Sequence, residues 1–198
     1  MENEIYARLT KGIRKPRVHK IAVLICGAPG TGKTSNEKHI LNDANIHTQL
    51  VSLNSDEILK ITNNRTTALE LTTNIGHRLM SDGYSFVWQA SCVYPPPKLH
   101  FTEKLKAAGY NVIMGITFAS LNIATDRISH RTDQPLDERF IRAAHTEFKR
   151  KGHVYLEDPN IDELYLYNND ASMKLIYERK HNVVYCHSPG GNFYFDYC

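Results

Sequence analysis

The chain has 198 residues, enough for one α/β domain with a sizeable core and too few for two comfortable ones. Hydrophobic residues at 41% and charged residues at 23% are ordinary globular values that argue against disorder, and a formal charge of +3 is too weak to imply nucleic acid by itself. The longest apolar runs, Ile21 to Cys26 and Val112 to Ile116, are strand-sized and far short of the ~20 residues that span a bilayer, so no membrane segment is expected.

The stretch MENEIYARLTKGIRKPRVHK (1–20) starts acidic and lacks an apolar core of signal-peptide length, so export is not expected. Its lysines and arginines from position 11 onward read as a solvated basic lead-in, with a phosphate-backbone contact as the alternative. Four β-branched runs then alternate with helix-like stretches up to residue 150: HKIAVLICG, QLVSLNS, YSFVWQAS and YNVIMGITFA. Such alternation is how the βαβ units of a parallel sheet look in sequence. The helical stretches are KTSNEKHILND, Thr66 to Met80 with Leu69, Ile75 and Leu79, residues 98–108 with Leu99, Leu105 and Ala108 on the buried side, Leu121 to Arg131, and Asp137 to Arg150. Pro95-Pro96-Pro97 reads as a stiff break before the third of these, and TDQP (132–135) as a turn or mobile connection between the last two.

Beyond Gly152 the pattern changes. DELYLYNND reads as a fifth strand, and MKLIYERKHNVVYCHSPGGNFYFDY as an antiparallel hairpin with a Pro-Gly-Gly turn, a C-terminal extension over 171–198 of a single domain. The eleven tyrosines, many of them here, fit half-buried strand positions better than a base-stacking surface. Cysteines at 26, 92, 186 and 198 have no CxxC or Cys/His ligand spacing, so neither a zinc site nor a disulfide framework is indicated, and a cytoplasmic, reducing location fits.

The chemistry starts at Gly27-Ala28-Pro29-Gly30-Thr31-Gly32-Lys33-Thr34, which satisfies GxxxxGK[ST] directly after an apolar strand and at the start of a helix. Glycines there let backbone N–H groups turn inward around phosphate oxygens, and the helix adds the positive end of its dipole. Residues Gly27 to Ser35 are therefore the nucleotide-binding candidates; Lys33 would reach the β and γ phosphates of ATP, and the Thr34 hydroxyl would be a ligand for Mg²⁺. A glycine-rich turn without a ligand is the competing explanation, which the flanking strand and helix disfavour. No NKxD-type guanine-reading segment occurs.

Asp56 follows the second strand, where the carboxyl ends of parallel strands line a ligand crevice, so it is placed to take a proton from an attacking hydroxyl. It reads equally as the N-cap of the helix after it. Arg127 and Arg131 stand four apart on one helix, with Arg139 and Arg142 on the next, a set that suits a lid over phosphates or a solvated charged face.

GAPGTGKT, LNSDEI, GYSFVWQAS, LKAAGYNVIMGITFASLNIATDRISHR and LYLYNND, in this order between residues 21 and 170, resemble the zeta-toxin family of P-loop kinases. Its best-known members phosphorylate the sugar of UDP-N-acetylglucosamine. The resemblance implies a three-layer α/β/α fold, ATP with Mg²⁺, Asp56 as base, Lys33 on phosphates, Arg127 and Arg131 as lid arginines, and Asn168 near the nucleotide. Where the family often has Glu-Thr-Thr after the third strand, this chain has Gln89-Ala90-Ser91, which removes a carboxylate and keeps one hydroxyl for the acceptor pocket. After Arg131 the family's Gly-Gly-His-x-Val-Pro stretch becomes TDQPLDERFIRAAH, where Arg142 stands in for an arginine of the pair that follows.

The function these residues predict is transfer of the γ-phosphate of ATP to a hydroxyl of a small molecule, a nucleotide sugar being the class the resemblance offers. A nucleoside, nucleotide or polynucleotide 5′-kinase is the alternative, so nucleic acid stays open as a partner, and a catalytically degenerate ATP-binding module ranks third. The resemblance also leaves room for an antitoxin-like protein partner.

Overall fold

The computed structural model describes residues 1–16, 18–131 and 136–188, and within them the apolar runs assemble one seven-stranded sheet. Strands β1 (Lys20–Cys26), β2 (Val51–Asn54), β3 (Phe86–Ala90), β4 (Tyr110–Phe118) and β5 (Glu163–Asn168) run parallel in the order β2-β3-β1-β4-β5. Next to β5, β6 (Lys174–Lys180) and β7 (Val183–Cys186) extend the sheet antiparallel. Parallel neighbours need crossovers, and helices supply them. They are α2 (Lys33–Asp43), α3 (Ser55–Thr62), α4 (Arg65–Ser81), α5 (Pro95–Ala107), α6 (Leu121–Ser129) and α7 (Glu138–Lys151).

The strand period of two makes the layers. In β1, Ala22, Leu24 and Cys26 join one core with Ile75 and Leu79 of α4 and Phe101 and Leu105 of α5, while Val23 and Ile25 join the other with Ile40 of α2. The expected three-layer α/β/α architecture is therefore present.

Differences from the sequence reading have local physical causes. In α4 the buried stripe is Ala68, Thr72, Ile75, Gly76 and Leu79, whereas Leu69, one position and about 100° around the helix from Ala68, is 53% exposed. The prolines at 95–97 do not precede α5 but form its first turn, where a missing N–H leaves no intrahelical bond unmade. Residues 132–135, read as a turn, lie outside the described residues. The amino terminus is more than a lead-in: Glu2–Thr10 form α1, with Ile5 and Tyr6 buried in the core that holds β2 and α4 side chains.

In the basic stretch, Lys15 and Lys20 each lie 4.9 Å from a ring centroid, of Tyr84 and Tyr110 respectively. They sit at the edge where the parallel strands begin. At the other end of the chain the hairpin forms, but it turns at His181-Asn182, with φ of +50° and +63°, the left-handed pair that a two-residue hairpin turn favours. Pro189-Gly190-Gly191 lie outside the described residues. Tyr165 and Tyr167 are fully buried rather than half-buried, their hydroxyls donating to Glu163 and Asp43.

The cysteine reading is overturned. Cys26 and Cys92 form a disulfide with a Cα separation of 5.3 Å, and no described cysteine is free. Cys26 pairs in register with Ala90 of β3, and two residues later the chain doubles back with Cys92 at φ +52°, over the end of β1. With that bridge, cysteine usage no longer argues for a reducing compartment. Among the described residues no helix is long and apolar enough to cross a membrane.

Candidate active site

Strand β1 lies where the strand order reverses, with β3 on one side and β4 on the other, and the crevice at the carboxyl ends of such strands is the usual ligand position of an open parallel sheet. The loop from Gly27 to Gly32 leaves β1 at this point and runs into α2. Two of its glycines are required by geometry. Gly30 has φ +78°, and a Cβ there would lie 2.5 Å from the Ala124 carbonyl oxygen of α6. Gly32 has φ +91° as the N-cap of α2, and a Cβ would strike the Asn169 side-chain amide.

Within the loop, Thr31 Oγ1 donates to the Ala28 carbonyl at 2.9 Å. Lys33 Nζ folds back to donate to the carbonyls of Gly27 at 2.9 Å and Ala28 at 3.2 Å. Burial drives the Lys33 pKa down to about 8; the carboxylate of Asp56 opposes that shift and the guanidinium of Arg131 adds to it. Residues distant in sequence thus share one electrostatic neighbourhood: the loop lysine, the acid after β2 and an arginine beyond α6.

The N-cap role that the sequence offered to Asp56 belongs to its neighbour Asn54. Asn54 is the N-cap of α3, its Oδ1 accepting from the Asp56 backbone N–H at 2.9 Å, so the cap does not need the Asp56 carboxylate. Gln89, buried at the end of β3, accepts at Oε1 from the Thr34 hydroxyl at 2.8 Å and from Asn54 Nδ2 at 3.1 Å, and its Nε2 donates to Glu37 of α2. Ser91 is exposed next to Cys92, and Ser35 is exposed in the first turn of α2.

Asn168 closes a local turn, its Oδ1 accepting from Asp170 N–H. The residue that reaches the phosphate loop is its neighbour: Asn169 Nδ2 donates to the Thr31 carbonyl at 2.9 Å, and its own carbonyl accepts from Arg127 Nη2 at 2.7 Å. Arg127 Nη1 is buried without an acceptor among the described residues. Arg142, in contrast, is exposed and paired with Glu138 one turn back at 3.0 Å, and Arg139 is paired with Asp137. From the same helix, His145 does come to the loop, Nε2–H donating to the Pro29 carbonyl at 2.9 Å. Its pKa is lowered by burial, against the pull of that bond and with help from the Lys33 charge.

Sequence reasoning missed Asn54, Glu37, Asn169 and His145. Asn54 stood inside the quoted LNSDEI, and Asn169 differs from the chosen Asn168 by one strand-end position. Glu37 and His145 had no motif to mark them.

A sequence model of the zeta toxin family matches residues 6–188. The chain belongs to the zeta toxin family. The match runs through β7, so the hairpin, which the quoted resemblance left out, falls within it. No curated protein matches the chain in sequence. Among solved structures, one from the PezAT chromosomal toxin-antitoxin system of Streptococcus pneumoniae aligns with a TM-score of 0.65 at 17% identity, covering 89% of this chain and 80% of that one. The AvrRxo1-ORF1:AvrRxo1-ORF2 complex with sulphate ions aligns at 0.69 with 12% identity, covering 94% of this chain and 66% of that one. The same complex with ATP aligns at 0.67 with 12% identity over 94% and 68%. At these identities the structural likeness speaks for the fold. Membership of the zeta toxin family and the P-loop architecture support an ATP-using phosphotransferase of the kinase type.

Proposed function

We propose that this zeta toxin family member moves the γ-phosphate of ATP to a hydroxyl of a small molecule, with a nucleotide sugar as the acceptor class. The observation that carries the reading is that the charges of Asp56 and Arg131 both act on Lys33, at the start of α2 and next to the glycine-rich loop that leaves β1. The amides of Gly27 to Ser35 and the Lys33 ammonium would bind and neutralise the phosphates. Asp56 would orient the acceptor hydroxyl and take its proton as the oxygen attacks phosphorus in line. Arg127, held by Asn169, and Arg131 would stabilise the charge that spreads over the transferring group. Arg142 would join them only by exchanging Glu138 for phosphate, a small cost for an exposed ion pair. Gln89 and Ser91 would border the acceptor.

The donor set fits Mg²⁺ that arrives with the nucleotide. The Thr34 proton is committed to Gln89, which leaves oxygen lone pairs for a hard cation, and no described group of three His, Cys, Asp or Glu side chains would hold one without the phosphates. Bound there by Thr34, the cation would neutralise phosphate charge.

The rival polynucleotide 5′-kinase reading rests on the basic lead-in and on the altered acceptor pocket, and the structure bears on the first. Lys15 and Lys20 lie over tyrosine rings at the strand-start edge, opposite the crevice, which weakens it. An antitoxin-like protein partner is part of the proposal, since the PezAT protein is described as one of a toxin-antitoxin system.

Asp56→Asn tests the assignment. Transfer of label from γ-labelled ATP to nucleotide sugars should fall ~10²-fold or more with ATP affinity near that of the wild type. Full transfer by the variant would remove Asp56 from the chemistry. Label taken up by oligonucleotides instead of nucleotide sugars would replace the acceptor.

A further inference from the structure

Gln89 stands where the family pattern leads one to look for an acid, yet a carboxylate is present in its network, supplied by α2. Glu37 lies three residues after Thr34, so both side chains project from the same side of the helix toward the end of β3. The hydrogen bonds in this network have only one consistent polarity. Asn54 Oδ1 is committed to the Asp56 N–H, so its amide nitrogen must donate to Gln89, whose oxygen must therefore face Asn54. The Thr34 hydroxyl, meeting that same oxygen, must donate its proton. The Gln89 nitrogen then faces away and needs an acceptor, and Glu37 Oε2 is one that cannot donate when ionised. A Gln89 flipped by 180° would place its N–H₂ against the Asn54 N–H₂ and its oxygen against the Glu37 carboxylate, losing both contacts, and would turn the Thr34 hydroxyl from donor to acceptor.

We propose that Glu37 is a positioning residue of the nucleotide site. By accepting from Gln89 Nε2 it holds the Gln89 carbonyl on Thr34 and Asn54, so that Thr34 presents oxygen lone pairs, rather than its proton, to the cation that accompanies ATP. The inference rests on the ATP and Mg²⁺ site proposed above, and not on the identity of the acceptor. It also links the two halves of the site, since the same chain of bonds ends on the backbone of Asp56.

The test is ATP affinity by calorimetry, with Mg²⁺ and with EDTA, for the wild type, Glu37→Ala, Glu37→Gln, Thr34→Val and the Thr34→Val/Glu37→Ala double variant. Glu37→Ala should lose about tenfold of the affinity in Mg²⁺, the size typical of removing a partner that orients a metal ligand, and keep wild-type affinity in EDTA. Glu37→Gln should stay within about threefold of the wild type, because its amide oxygen still accepts from Gln89 through a weaker, uncharged bond. The double variant should bind no more weakly than Thr34→Val alone, as expected when one residue acts through the other. The proposal is overturned if Glu37→Ala matches the wild type in Mg²⁺, if it loses as much in EDTA, if the two effects multiply, or if Glu37→Gln is as impaired as Glu37→Ala. Should Glu37→Ala melt at a much lower temperature by circular dichroism, the near-isosteric Glu37→Met decides: an about tenfold loss of affinity confined to Mg²⁺ supports the proposal and wild-type affinity in Mg²⁺ overturns it. A wild type that binds no ATP removes both this inference and the proposed function. The expected binding pattern without phosphate transfer removes only the transfer reaction.

Discussion

The depressed pKa of Lys33 makes ATP binding proton-linked. In the free protein, burial holds this lysine at about 8, and triphosphate bound against it would return the ammonium to its charged form with a much higher pKa. The charged state is the one that binds, so affinity is full below that pKa and falls as pH rises through it. With a free-state pKa of about 8, the charged fraction drops from roughly nine-tenths at pH 7 to one-tenth at pH 9, a ~10-fold loss of affinity or about 1.4 kcal/mol. The γ-phosphate does not confuse the window, because phosphate groups lose their last proton near pH ~6. Calorimetry in buffers of different ionisation enthalpy should register proton uptake that rises from about half a proton per ATP at pH 8 to about nine-tenths at pH 9. The neighbours give the direction of two controls: Arg131→Ala should move the midpoint up, since Arg131 lowers the Lys33 pKa, and Asp56→Asn should move it down, since Asp56 raises it. A flat affinity between pH 7 and 9 with no proton uptake, or midpoints that ignore both variants, would refute the reasoning.

Two further expectations concern stability. Gly30→Ala adds a Cβ 2.5 Å from the Ala124 carbonyl oxygen at φ +78°, and should destabilise the fold by ~1–3 kcal/mol, read as a lower melting temperature; an unchanged melt would mean that α6 yields freely there. The disulfide closes a loop across a sequence separation of 66, for which chain entropy gives ~4 kcal/mol, so a reductant, or Cys26→Ser with Cys92→Ser, should lower the urea midpoint. Identical midpoints with and without reductant would show that the bridge does not contribute.

The order and type of the elements were legible because buried parallel strands and amphipathic helices impose different local periods, and each can be recognised without its neighbours. That is why KTSNEKHILND was bounded correctly as α2 and why the strand-loop-helix context of Gly27 to Thr34 identified a phosphate loop. The same local information placed Asp56 just after the second strand, whereas Gln89 stands out only by comparison with the family pattern.

Contacts between strand ends were not legible, because they depend on which strands become neighbours. Cys92 meets Cys26 only because β3 pairs with β1, and nothing in a separation of 66 residues announces that. Asn169 rather than Asn168 reaches Thr31 because one step along a strand reverses the side-chain direction, a difference no motif resolves. Arg142 and His145 share a helix, yet Arg142 pairs outward with Glu138 and His145 turns inward to Pro29, as the packing of α7 dictates. The sequence by itself determined that a glycine-rich loop of the GxxxxGK[ST] pattern joins β1 to α2. Tertiary structure alone decided that Gln89 meets the Glu37 carboxylate, because only the folded sheet brings that turn of α2 against the end of β3.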